Sequence, residues 1–288
     1  MDKHELTLAS RPLVHGLLQR HPPAISELTF TNLFVWRHAR PVWFSATEET
    51  LLFWTTEKGG SEPTVLFGPP AGPLPIEEVA RLAPLSGMVR IPAPEAERLR
   101  LAGYEVAADR DNADYVYRVR DLAGLAGRKY AKKRNHVKNC LARYRCAYEP
   151  FSPAIIAECL GMQGRWCEMR ECAVNLELAG EDAAIRETLE HFAEFGCIGG
   201  AVRVEGKIAA YAIAEPLAHD TAVWHFEKAL PDIAGLGQLI THWFAHEALS
   251  GFTFVNREQD LGIPGLRQAK ESYYPDHLVE KFTVRPAD

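Results

Sequence analysis

The sequence predicts an α+β protein in two halves, with mixed, mostly antiparallel sheets flanked by helices. Three observations carry this expectation. Short apolar and aromatic runs bounded by turn residues recur at residues 42–46, 51–55, 198–204, 207–215 and 221–228, which is the signature of strands. Helical periodicity dominates from residue 121 to 194, so the two strand-bearing regions are separated by helices. The chain has 288 residues, 47% apolar and 24% charged, enough for a real core and for two ordinary domains, which we divide as 1–120 and 121–288.

In the first half, residues 42–46 and 51–55 read as adjacent strands. Residues 68–75 hold Pro69, Pro70, Pro73 and Pro75, which excludes helix and central strand and leaves a loop. Amphipathic helices are expected at 76–83 and 94–101, and a strand at 115–119 closes the half. Residues 122–144 form one long helical pattern, broken near Gly127, with Tyr130, Val137, Leu141 and Tyr144 on a common face. Phe151-Ser152-Pro153 marks a helix start: Ser152 caps, Pro153 suits the first turn, and Phe151 with Ile156 can staple. A helix at 181–194 precedes three strands, with Gly206 turning the first hairpin. A loop at 231–237, a helix at 238–249, a strand at 252–256, a short helix and a strand at 277–284 complete the chain.

The formal charge of −6 predicts no general attraction to polyanions. Six cysteines without a C-x-x-C pair or a leader are expected as reduced thiols, partly buried. No apolar run reaches the ~20 residues that cross a bilayer, so a cytoplasmic location is expected and any membrane contact is peripheral.

Against that acidic background, Arg128, Lys129, Lys132, Lys133, Arg134, Lys138, Arg143 and Arg145 place eight cations among eighteen residues. His136 lies among them, and no Asp or Glu stands between Leu122 and Tyr148. Solvated helices interleave both signs, so uninterrupted like charge points to an anionic partner: tRNA phosphate, lipid headgroup or coenzyme phosphate. Lys132, Lys133, Arg134 and His136 are the candidate phosphate or tRNA contacts. Gly235-Leu236-Gly237 before Gln238 offers free N–H groups at a helix start, a place for the phosphates of coenzyme A or acyl-coenzyme A. It serves equally as a turn needing glycine, and Asp232 stands where a cation would help. In residues 223–228, alternation puts Trp224, Phe226 and Lys228 on one side and His225 and Glu227 on the other. Glu227 there is a candidate general base. His242 and His246 have metal-capable spacing but lack the internal Glu of H-E-x-x-H, so no metal site is assigned.

Asn256-Arg257-Glu258-Gln259-Asp260-Leu261-Gly262 ends a strand with groups too costly to bury unpaired, so they form a network or line a cleft. Arg267 and Lys270 follow on one helix face. The order helix, helix, three antiparallel strands, loop, helix, strand matches the acetyltransferase-like fold. D-Y-V-Y-R-V-x-D-L from Asp114, G-R-K-Y-x-K-K-R-N-H from Gly127 and W-H-F-E-K-A from Trp224 stand in order along the chain. N-R-E-Q-D-L-G-I-x-G-L-R from Asn256 and A-K-x-S-Y-x-P from Ala269 follow, and S-E-L-T-F-T-N-L-F-V-W-R from Ser26 precedes them. Together they resemble stand-alone proteins related to the C-terminal domain of phosphatidylglycerol lysyltransferases (DUF2156).

The resemblance implies a tandem acetyltransferase-like (GNAT) fold, shared with the Fem aminoacyltransferases, with the first copy degenerate. It implies transfer of an aminoacyl group from aminoacyl-tRNA to a lipid, peptide or small molecule. Glu227, Glu258 and Asp260 would be catalytic. Asn256, Arg257, Arg267, Lys270 and Tyr273 would bind substrate. Acyl transfer from acyl-coenzyme A through Gly235, Gly237 and Gln238 stays open, as does a non-catalytic binding or regulatory role. The lysyltransferases carry a membrane-embedded domain that has no counterpart in these residues.

Overall fold

The computed structural model describes residues 2–57, 59–82 and 85–287. Along the chain, β1 (His4–Glu5), α1 (Arg11–Arg20) and α2 (Phe30–Val35) precede β2 (Trp43–Ala46), β3 (Leu51–Thr55) and β4 (Val65–Phe67). Next come α3 (Ile76–Leu82), β5 (Gly87–Pro92), α4 (Ala93–Leu101), β6 (Glu105–Ala108) and β7 (Asp114–Arg118). Ala83, the expected end of α3, lies outside the described residues. Then follow α5 (Val119–Gly124), α6 (Ala131–Arg143), β8 (Cys146–Pro150), α7 (Pro153–Arg170), α8 (Leu176–Glu190) and α9 (Phe192–Phe195). The remainder is β9 (Ile198–Val204), β10 (Lys207–Ala218), β11 (Thr221–Ala229), α10 (Leu236–Glu247), β12 (Phe254–Asn256), α11 (Pro264–Glu271), β13 (His277–Val279) and β14 (Lys281–Arg285).

Two compact units result. One is Met1–Tyr115 with Glu258–Lys270 and His277–Asp288; the other is Val116–Arg257 with Glu271–Asp276. A single division at 120/121 assigns the whole C-terminal stretch to the second half, whereas two of its segments return to the first unit. The reason is pairing. In the first sheet, ordered β1-β2-β3-β4-β5-β14-β6, β14 lies between β5 and β6. All its ladders are antiparallel except β4 with β5. α3 and α4 close one face over Leu52, Trp54, Leu66, Met88, Ile91 and Val284.

In the second unit the strands run β7-β12-β11-β10-β9-β8, antiparallel except β11 with β12. β8 is not legible in the sequence, because residues 146–150 sit between two helical signals and none of the five is fully buried. Its glycine partners explain its place. A Cβ on Gly200 would overlap the Tyr148 ring, and one on Gly199 the ring of Phe151. α7 starts as expected, with Ser152 accepting from the Ile155 N–H and Pro153 in the first turn. α8 begins earlier than residue 181, because Asn175 Oδ1 accepts from the N–H groups of Glu177 and Leu178 at 3.1 and 3.2 Å.

The helical pattern from residue 122 divides where Leu125 and Gly127 take positive φ, giving α5 and α6. That break shifts the buried face. Tyr130, Val137 and Cys140 are buried, while Leu141 is 43% exposed and does not share it. Cys167 and Cys172 are disulfide-bonded, correcting the expectation that all six are reduced. The left-handed Glu171 reverses the chain after α7 and brings their Cα atoms to 5.0 Å. Cys140, Cys146, Cys159 and Cys197 are not disulfide-bonded. No helix among the described residues is long and apolar enough to cross a membrane.

Candidate active site

β11 and β12 are parallel neighbours, paired from Thr221 with Phe254 to Val223 with Asn256. Glu227 and Arg257 lie just beyond that paired stretch. Arg257 Nη2 donates to Glu227 Oε2 at 2.9 Å, and Thr241 Oγ1 of α10 donates to the same oxygen at 3.0 Å. The Arg257 guanidinium lies 4.5 Å from the centroid of Trp224 and 5.6 Å from that of Tyr273. Strict alternation would put Trp224 and Glu227 on opposite sides of β11. His225 corrects this: Ile213 pairs with Phe226 and Ala214 with Trp224, leaving His225 as an extra, bulged residue. Trp224 therefore meets Phe244 of α10 while Glu227 meets Thr241 of the same helix. Lys228 turns away to Glu181, at 2.7 Å, and to the Trp166 ring. His225 is spent on Glu215, at 2.8 Å, with both side chains nearly fully buried.

α6 supplies the third wall. Lys133 Nζ donates to Ser272 Oγ at 2.6 Å and stands 3.9 Å from the Tyr273 ring centroid. Burial, then Arg257 and Lys132, push its ammonium below the ordinary lysine value, against the pull of Glu227. Residues 271–276 are pinned here as well. The Tyr130 hydroxyl donates to the Tyr273 carbonyl at 2.8 Å, and Arg118 pairs with Asp276 at 2.6 Å. Tyr273 is buried, and burial followed by Glu227 pushes its phenol up to about 12.

The proposed phosphate contacts separate by role. Lys132, Lys138 and Arg143 are exposed on α6, as are Arg128 and Lys129 just before it and Arg145 just after it. Arg134, although exposed, donates to the carbonyls of Leu125 and Gly127 and so closes the end of α5. His136 is half-buried, and its carbonyl lies against Gly235. Gly235 has φ +85°, and a Cβ there would overlap that carbonyl oxygen. Close approach of α6 accounts for this glycine. The glycine therefore has a packing reason that is independent of any bound phosphate. Gly237 and Gln238 fall inside the first turn of α10, which begins at Leu236 rather than 238. His242 and His246 do not converge: His242 Nδ1 lies 3.5 Å from the Leu122 carbonyl, and His246 meets Glu247.

The N-R-E-Q-D run divides between the units. Asn256, buried, and Arg257 belong to the second; Glu258, Gln259 and Asp260 belong to the first. There Asp260 is fully buried and takes both Arg267 nitrogens, at 2.8 and 2.9 Å, the Tyr115 hydroxyl at 2.6 Å, Arg110 and the Gly262 N–H. Burial raises this carboxyl, yet Arg267, Tyr115 and the Gly262 N–H outweigh it and hold it far below its ordinary value. A carboxylate so completely engaged is an anchor. Glu258 accepts from Asn32 Nδ2 at 3.0 Å through Oε1, and its carbonyl accepts the Tyr115 N–H. Lys270 lies 5.8 Å from the centroid of the Tyr115 ring.

Below this sits a buried charge network that sequence reasoning did not assign. Lys281 Nζ donates to Glu27 Oε2 at 2.5 Å and Asp114 Oδ1 at 2.6 Å, all three fully buried. Ser26 and Arg90 complete it. The signal was present in S-E-L-T-F and D-Y-V-Y, where acids stand inside apolar runs.

Residues 18–285 match the family described as phosphatidylglycerol lysyltransferase, C-terminal. The chain belongs to that family. It is 30% identical to a conserved protein of unknown function from Bacteroides thetaiotaomicron VPI-5482, each chain covered in full, with a TM-score of 0.90. The C-terminal domain (DUF2156) of a putative lysylphosphatidylglycerol synthetase from Agrobacterium fabrum is 15% identical. Its TM-score is 0.66, with 98% of this chain and 93% of that one covered. L-PGS from Bacillus licheniformis is 14% identical with a TM-score of 0.64, over 99% of this chain and 94% of that one. No curated protein matches. Family and architecture agree on a tandem acetyltransferase-like fold, and the family supports a transferase at a coarse level.

Proposed function

We propose that the protein transfers an aminoacyl group from aminoacyl-tRNA to a lipid, peptide or small-molecule acceptor. The observation that carries this reading is the convergence of Lys133, Glu227, Arg257 and Tyr273, all from the second unit, beside the exposed cations of α6. The family's lysyltransferase name supports it. An aminoacyl ester is already activated, so no covalent enzyme intermediate is required. The acceptor's hydroxyl or amine attacks the ester carbonyl, the carbon–oxygen bond to the tRNA ribose breaks, and the acceptor's proton leaves with that ribose oxygen. Positioning and cationic stabilisation of the carbonyl oxygen, for which Lys133 and Arg257 are suited, then suffice. Glu258 and Asp260 are assigned to holding the loop after β12, and Arg267 to holding Asp260.

Thermal-shift measurements with charged tRNA, uncharged tRNA and acetyl-coenzyme A test the reading. Charged tRNA is expected to raise the unfolding temperature most and acetyl-coenzyme A not at all. Stabilisation by acetyl-coenzyme A alone contradicts it.

A further inference from the structure

Glu227 holds its two oxygens in different states. Oε2 accepts from Arg257 and Thr241, whereas Oε1 has no partner among the described residues. The side chain is 22% exposed, so Glu227 is not sealed from a small group. Arg257, which holds the carboxylate, lies against the rings of Trp224 and Tyr273, and Lys133 packs on the same Tyr273 ring. An open carboxylate oxygen beside two cations matches a ligand that carries both signs close together. The end of an aminoacyl-tRNA is such a ligand: an α-ammonium with several donors, separated by one ribose from a phosphodiester. An acyl-coenzyme A has phosphates but no cation near its acyl carbon, and would leave Oε1 unmatched.

Resting on the proposed aminoacyl transfer, we infer that Glu227 Oε1 is the receptor for the α-ammonium group of the aminoacyl donor, with Arg257 and Thr241 fixing the carboxylate. The site thereby selects donors with a free α-amine and rejects N-blocked ones. Glu227 is then a recognition residue and carries no proton in the transfer. Lys133, packed on the Tyr273 ring, is left for the phosphodiester or the ester oxygen.

The test uses the full chain and three non-hydrolysable probes: a CCA trinucleotide bearing a 3′-amide-linked lysine, the same probe with its α-amine acetylated, and the bare trinucleotide. Affinities are read by titration calorimetry. Wild type is expected to bind the free-amine probe about tenfold or more tighter than the acetylated one, the order of one charge-assisted hydrogen bond. Glu227→Gln, near-isosteric and still able to accept from Thr241 and Arg257, should erase that difference. Lys133→Ala should weaken the free-amine and acetylated probes by the same factor and leave the difference between them. Equal wild-type affinity for free and acetylated probes overturns the inference and leaves the aminoacyl reading standing. Persistence of the difference in Glu227→Gln overturns it too. Failure of every probe to bind, with binding of acetyl-coenzyme A in its place, removes both.

Discussion

Lys281, Glu27 and Asp114 illustrate why a buried charge has to be weighed with its partners. Burial pushes Glu27 up, but Lys281, Arg90 and Arg40 outweigh it and leave the carboxyl below its ordinary value. Replacing Lys281 by Met removes the cation shared by two buried carboxylates, so a loss of about 3–5 kcal/mol in urea unfolding is expected. An unchanged midpoint would show that the network contributes nothing. Glu27 and Asp260 both titrate lower folded than unfolded. Their contribution is therefore complete above the ordinary carboxylate range and is lost as the pH falls below about 4. Unfolding free energy measured from neutral pH downward should drop in that window; a flat profile there contradicts the assignment. Lys133 has the opposite sense. Its depressed value means that the charged form costs stability at neutral pH, so Lys133→Met should unfold at the same or higher temperature while losing affinity for charged tRNA. A lower unfolding temperature would make Lys133 a structural residue.

At the scale of elements, the basic helix was legible as a pattern but its residues were not separable by role. Like charge without acids marked α6 correctly as a surface element, yet nothing in K-K-R distinguishes an exposed Lys132, an inward Lys133 and an Arg134 that closes α5. Those roles depend on where α5 ends, which Leu125 decides by taking positive φ. Replacing Lys132 and Lys138 with Ala should lower tRNA affinity and reduce the salt slope by about 2, if each neutralises one phosphate. Arg134→Ala should instead lower the unfolding temperature. The converse result would exchange their roles. Strand alternation failed at β11 for a similar reason: a bulge at His225 costs one residue of register, and no sequence period announces it. The glycine turn before α10 was seen, but its purpose was not, since the carbonyl it accommodates comes from His136, far away in sequence.

For the whole molecule, element types followed from local chemistry, whereas membership of the two units did not. A strand's period says that it is a strand; it does not say which strands it joins. Residues 277–284 read as one terminal strand, whereas they form β13 and β14 in different sheets, and β14 fits between β5 and β6, which do not pair with each other. The first unit is thus incomplete without the last residues of the chain, and β14 also carries Lys281. A fragment of residues 1–120 lacks the central partner of β5 and β6 and takes away the buried Lys281 that Glu27 and Asp114 share, two independent reasons not to fold. It should show little amide dispersion by NMR and no cooperative melting. Adding a peptide of residues 258–288 should restore both, because it returns the strand and the charge together. The same peptide with Lys281→Met should restore structure weakly, which separates the pairing contribution from the electrostatic one. A folded, cooperatively melting 1–120 fragment would show instead that the first sheet closes on local contacts alone.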